Sequence, residues 1–211
     1  MIGSDFTLPV TTLLPFLLIV GILVLFAVLA YLGRRARQQA WSELAARTGL
    51  TFESGGLFSP MRITGAYRGH ALTLDTFTRS SGKSSTTYTR IRMSVNNPSA
   101  LSLAIYDENV LSKLGKALGM QDVQVGDDEL DRRFTFKGQP EPVLASLLTS
   151  VGLRQKLLEA RSVHVEAKGQ EVYWQHRGAE SNADYLQFLF DLLSDLAEAV
   201  DGAGGARTAW G

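Results

Sequence analysis

From Phe6 to Gly33 the chain carries no charged side chain, and within that stretch Leu13 to Leu32 reads LLPFLLIVGILVLFAVLAYL. About 20 apolar residues cross the hydrocarbon core of a bilayer as a helix, whose backbone satisfies its own hydrogen bonds. A cleaved secretory signal needs basic residues ahead of a shorter apolar core, whereas Asp5 is the only charged side chain before this one. A buried core helix is excluded by size, because the rest of a 211-residue chain offers too little apolar surface to cover so long a run. The stretch therefore predicts one transmembrane helix over 8–33, preceded by a short segment 1–7.

Arg34, Arg35 and Arg37 follow the span directly, and no basic side chain precedes it. Lys and Arg collect on cytoplasmic flanks, so the N-terminus is expected outside and everything after the span in the cytoplasm. The lipid bilayer is the first expected partner. Helical spacing continues through QQAWSELAARTG, where Ala40, Trp41, Leu44 and Ala45 share a face and Gly49 stands at a C-cap position. This predicts a juxtamembrane stalk helix over 34–49, with Trp41 packed on the following domain.

Residues 50–201 read as an α+β domain. Arg62 to Tyr67, Arg68-Gly69 and His70 to Thr78 form a two-residue hairpin that pairs Ile63 with Leu74, Gly65 with Leu72 and Tyr67 with His70. Arg62 then faces Asp75 as a cross-strand charge pair. Thr87 to Val95 alternates, with Ile91, Met93 and Val95 on one side and Arg90, Arg92 and Ser94 on the other; Leu101, Leu103 and Ile105 supply a further strand. Together these predict an antiparallel meander with one solvated face. Short helices are expected over Asn109 to Leu118, Pro142 to Leu148 and Leu153 to Ala160, the last two separated near Gly152, with a strand at Phe134 and Phe136.

A second hairpin spans Ser162 to Arg177 and is expected to turn at Lys168-Gly169. An Ala167:Gln170 closing pair places His164 opposite Tyr173 and leaves His176 on the other face with Val172 and Trp174. The last helix starts at Ser181 or Asn182, with Asp184 completing a capping box from Ser181, and runs to Val200, packed on the sheet. Asp184, Asp191, Asp195 and Glu198 form one acidic stripe along it. The apolar arc opposite is wide, which makes Tyr185, Phe188, Leu189 and Leu192 a candidate interaction surface beside their role in the core. A flexible tail, 202–211, closes the chain.

The chemistry is sparse. Basic and acidic residues balance at 21 each, so no global field draws the chain onto nucleic acid, and the absence of cysteine removes disulfides, thiolate nucleophiles and thiolate metal sites. His164 and His176 point apart, which excludes a shared metal. The acidic run VQVGDDELD lacks the alternating ligand spacing of a calcium loop and reads as a solvated turn, with Asp131 either paired to Arg132 or Arg133 or accepting backbone N–H groups. No catalytic constellation, cofactor site or metal site emerges.

The stretch SSGKSST, Ser80 to Thr86, ends like a phosphate-binding loop. Such a loop needs a glycine five positions before Gly82, where Phe77 stands, and a helix at the lysine, where a β-branched run follows instead. Nucleotide binding is therefore not expected. The stretch reads as a hairpin tip, and Arg79, Lys83, Arg90 and Arg92 are candidate contacts to a partner or to anionic headgroups.

The order of features, from the span through the Trp-containing stalk and meander to Gly126-Asp127, Leu130-Asp131, Phe134, the Leu147-Leu148 helix and the Val172-Tyr173-Trp174 strand, resembles a class of uncharacterised bacterial membrane-anchored proteins. The resemblance implies architecture and a bacterial inner-membrane location, and it implies no activity. The expectation is a non-catalytic binding protein, an accessory subunit or assembly factor of a larger membrane complex with membrane-protein partners. The alternative is a cytoplasmic-face domain that holds a lipid or other apolar ligand in a cavity lined by Leu72, Leu74, Met93 and the last helix.

Overall fold

In the computed structural model, which describes residues 10–56, 59–82, 84–107 and 122–203, span and stalk form one uninterrupted helix, α1 (Val10–Thr48). Pro15 falls inside it near its start. From Leu14 to Leu32 the side chains of α1 are exposed, whereas Trp41, Leu44 and Ala45 are buried in the domain core. The helix ends at Gly49, where the Leu50 N–H donates to the Ala45 carbonyl at 3.0 Å. Trp41 reaches across the core and donates from Nε1 to the Glu180 carbonyl at 3.0 Å.

Nine strands form one antiparallel sheet among the described residues: β1 (Thr51–Glu53), β2 (Arg62–Tyr67), β3 (His70–Ser81), β4 (Ser84–Ser94), β5 (Ser102–Asp107), β6 (Asp122–Val123), β7 (Phe134–Gln139), β8 (His164–Lys168) and β9 (Glu171–Arg177). Their order is β1-β2-β3-β4-β9-β8-β5-β7-β6. The first four strands are the expected meander, and the β2–β3 register matches the expected pairs Ile63:Leu74, Gly65:Leu72 and Tyr67:His70. Beyond β4 the meander ends, because the β8–β9 hairpin inserts between β4 and β5.

That second hairpin turns at Gly169-Gln170, one residue later than expected, and closes on Lys168:Glu171. The reason is the glycine: Gly169 has φ +60, the conformation required at the first central position of a type II′ turn. The shift moves each partner by two, so Glu166 now faces Tyr173 while both histidines keep their assigned faces.

The helices are α2 (Asp128–Arg133), α3 (Glu141–Leu148), α4 (Val151–Glu159) and α5 (Ala183–Gly202). The acidic run is thus a short helix rather than an open turn: Asp127 caps it by accepting from the Glu129 and Leu130 N–H groups, and Asp131 accepts from Val125 and Gly126. The break between α3 and α4 lies at Thr149-Ser150, and Gly152 is helical. Asn182 caps α5 by accepting from the Tyr185 N–H at 2.9 Å, so no Ser181–Asp184 box forms, and Asp184 binds Arg47 instead. The helix expected over Asn109 to Leu118, Lys83 and the tail from 204 lie outside the described residues.

One face of the sheet packs on α1 and α5. Leu72, Leu74, Ile91, Met93, Val172 and Trp174 are each at most 1% exposed and share a single core with Leu186, Leu189, Phe190 and Leu193 of α5. Ser194 of α5 lies 3.7 Å from the Met93 sulfur, so side chains fill the space between helix and sheet. The expected ligand cavity at Leu72, Leu74 and Met93 is therefore not formed. The same packing takes up the candidate interaction surface on the last helix: Tyr185, Leu189 and Leu192 are buried, and Phe188 is half-buried against the core. Complementary apolar faces on the sheet and on α1 consume the wide arc.

Candidate functional site

The opposite face of the sheet carries the polar residues of the same strands. Alternation sends Asp75, Phe77 and Arg79 of β3, Tyr88, Arg90 and Arg92 of β4, Glu171, Tyr173 and Gln175 of β9, His164 and Glu166 of β8 and Tyr106 of β5 to that side. Most of them line a cleft of about 470 Å³. Three of the candidate contacts, Arg79, Arg90 and Arg92, come together here.

Asp75 anchors one side of the cleft. Although embedded in the sheet, it accepts from Arg90 Nε at 3.1 Å and Nη2 at 2.9 Å, and from Arg92 Nη2 at 3.2 Å. The expected pair with Arg62 does not form: the two residues are opposite in register, but no ion pair joins them among the described residues. A bidentate guanidinium on the neighbouring strand outcompetes Arg62 for the carboxylate. Arg90 also lies over the Phe77 ring at 4.7 Å, and Phe77 stacks on Tyr88 with centroids 5.3 Å apart. Arg79 covers the same two rings at 5.8 and 5.6 Å without a carboxylate partner among the described residues, so the cleft keeps an uncompensated cation at its rim.

Glu166 organises the other side. Its Oε1 accepts from the Tyr106 hydroxyl at 2.8 Å and from His164 Nε2 at 3.0 Å. Burial pushes its carboxyl up, but hydrogen bonds from His164, Tyr173 and Tyr106 outweigh that and hold it down at about 2. Tyr106 and Tyr173 respond in the opposite sense, pushed up by burial and by the anion they serve. The His164 ring meets Tyr106 edge-on at 4.7 Å. Glu166 and Tyr106 are not among the residues expected from sequence; their signal lies in the strand parity of β5 and β8, but only the joining of β5 to β8 brings them together.

The groups in this cleft can stack on a flat ligand, donate to an anion and accept from a polyol or a cation. Among the described residues no cluster of three His, Asp or Glu could hold a metal ion. His176 stacks on Trp174 on the core side, away from the cleft. Around SSGKSST, β3 and β4 pair directly to Ser81:Ser84 and no helix follows, so the geometry of a phosphate-binding loop is missing. A second groove of about 540 Å³ between α3 and the end of α5 has no charged side chain in its lining, which is mostly apolar with the hydroxyls of Ser146, Thr149 and Ser150.

The architecture matches a known structure. This chain shares its fold with a mycobacterial transport factor. The crystal structure of the mycobacterial trehalose monomycolate transport factor A, TtfA, superposes with a TM-score of 0.53 over 78% of this chain and 96% of that one, at 9% identity. At that identity the likeness concerns the fold alone. No protein-family model and no curated protein matches the sequence.

Proposed function

We propose that the chain is a membrane-anchored accessory subunit or assembly factor of a bacterial membrane complex that acts by binding, without catalysis, and that the complex is concerned with transport. One observation carries the reading: the same helix that is exposed and apolar from Leu14 to Leu32 is locked into the domain core by Trp41 and Leu44, so the head cannot swing freely from its anchor. Such a continuous lever suits a subunit that presents a surface to a neighbour at a set height above the bilayer. The neighbouring fold belongs to a protein named as a transport factor, which favours this class over an enzyme.

In this proposal the inner membrane holds α1, Arg34, Arg35 and Arg37 sit on the cytoplasmic side, and the cleft around Arg79 and Glu166 faces a membrane-protein partner. The test is purification of the full chain from native membranes in mild detergent after photo-crosslinking from position 79. A crosslinked membrane protein, lost when the crosslinker is moved to the buried face, supports the proposal. Recovery of uncrosslinked monomer alone sinks it.

A further inference from the structure

Where α1 leaves the apolar span, a cavity of about 390 Å³ opens, lined by Arg34, Arg37, Gly56, Ser59, Pro60 and Thr76 among others. Ala30, Arg34 and Arg37 fall at i, i+4 and i+7 on one face of the helix, so both guanidinium stems enter the cavity from the same side. Arg35 is not part of the lining. On the opposite wall the backbone at Gly55 packs closely on that at Ser59: Gly55 has φ +64, and a Cβ there would lie 2.4 Å from the Ser59 carbonyl. Beside it, the Gly56 carbonyl accepts from Arg34 at 2.9 Å.

Arg37 has no such partner among the described residues. Its Nε is buried with no hydrogen bond among the described residues. Burial lowers its basicity, and so does the charge of Arg34; no carboxylate is among its influences. Two adjacent guanidiniums, one with a desolvated orphan donor, are costly unless an anion completes them. The depth of the cavity narrows the source of that anion. Arg34 is the first charged residue after the span, and about 20 helical residues cross the hydrocarbon, so the cavity lies at the level of the lipid phosphates.

We propose that Arg34 and Arg37, with Gly56, Ser59, Pro60 and Thr76 opposite, form a site for the phosphate of an anionic phospholipid. The site rests on the anchoring reading and is separable from any protein partner. It differs from general attraction of a basic flank to a charged surface, because Arg35, equal in charge and adjacent in sequence, takes no part.

The experiment uses the full chain in mild detergent, with retained lipid counted by native mass spectrometry after addition of phosphatidylglycerol or phosphatidylcholine. Wild type and Arg35→Gln are expected to retain one phosphatidylglycerol and little phosphatidylcholine, and Arg37→Gln to lose retention by about tenfold or more. If Arg37→Gln fails to give the wild-type near-ultraviolet circular dichroism, Arg34→Gln provides the same reading. Equal loss in Arg35→Gln, or equal retention of the two lipids, overturns the site. Displacement by inorganic phosphate at matched concentration overturns the lipid as its source. Carbonate extraction of wild-type membranes is run in parallel: an extracted chain means that the anchor reading has failed, whereas a retained chain with no lipid preference means that this site alone has.

Discussion

The guanidinium of Arg68 donates to Asp195 at 2.8 Å, tying the tip of the β2–β3 hairpin to the outer flank of α5. Arg68 also reaches Glu198 at 3.0 Å and lies 3.8 Å from Asp191, so three carboxylates of the acidic stripe converge on one cation. Arg68 occupies a type I′ turn with φ 48, a conformation glycine adopts more readily. Arg68→Gly therefore preserves the turn and removes the charge. The expected loss is about 1 kcal/mol, since the pair is partly exposed, and it shrinks in high salt; thermal unfolding at low and high ionic strength checks both.

Glu166 makes stability depend on acid. Its folded value, about 2, lies below the ordinary 4.5, so ionised Glu166 favours the folded state above about pH 4.5 and this contribution is lost as the pH falls toward 2. Because the group is only about half-buried, screening reduces the effect to on the order of 1–2 kcal/mol. Glu166→Gln should be less stable than wild type near neutrality and converge with it in acid. Unfolding midpoints across that window decide it, and parallel curves for the two proteins would refute the assignment.

The partner of Asp75 can be read by double-mutant cycles. Asp75 binds Arg90 through two nitrogens and Arg92 through one, while Arg62 sits opposite without bonding. The Asp75–Arg90 cycle should return a coupling of about 1.5–3 kcal/mol and the Asp75–Arg62 cycle less than about 0.5 kcal/mol. Similar couplings in both would restore the simple cross-strand pair.

Trp41 couples the long apolar helix to the head. It is fully buried and donates to the Glu180 carbonyl at 3.0 Å. Trp41→Phe keeps most of the packing and loses the hydrogen bond, at about 1 kcal/mol, whereas Trp41→Ala opens a cavity at about 3–5 kcal/mol. Chemical denaturation of the detergent-solubilised chain gives both values. Trp41→Ala should also raise proteolysis within residues 34–49, where the helix loses its seat.

Much of this was legible locally. The β2–β3 register followed from Arg68-Gly69, a turn whose backbone admits one closing pair, and it was read correctly. The β8–β9 register was read two positions off because Gly169 can serve as the first or the second residue of a tight turn, and only the backbone conformation chooses. Arg79, Arg90 and Arg92 were found as surface cations, but their companions Glu166 and Tyr106 were not, since those two lie 60 positions apart.

By itself the sequence determined the long apolar run of α1, the faces of β2, β3, β4, β8 and β9 and the apolar arc of α5, because a hydrophobic run and a period of two or 3.6 are local properties of the chain. Tertiary structure alone decided that β8 and β9 enter between β4 and β5, that Asp75 serves β4 rather than β2, and that the acidic stripe of α5 closes on Arg68. Those outcomes depend on contacts between distant segments. Loop closure costs grow so slowly with length that no local signal ranks one pairing above another; packing and charge complementarity across the assembled sheet make the choice.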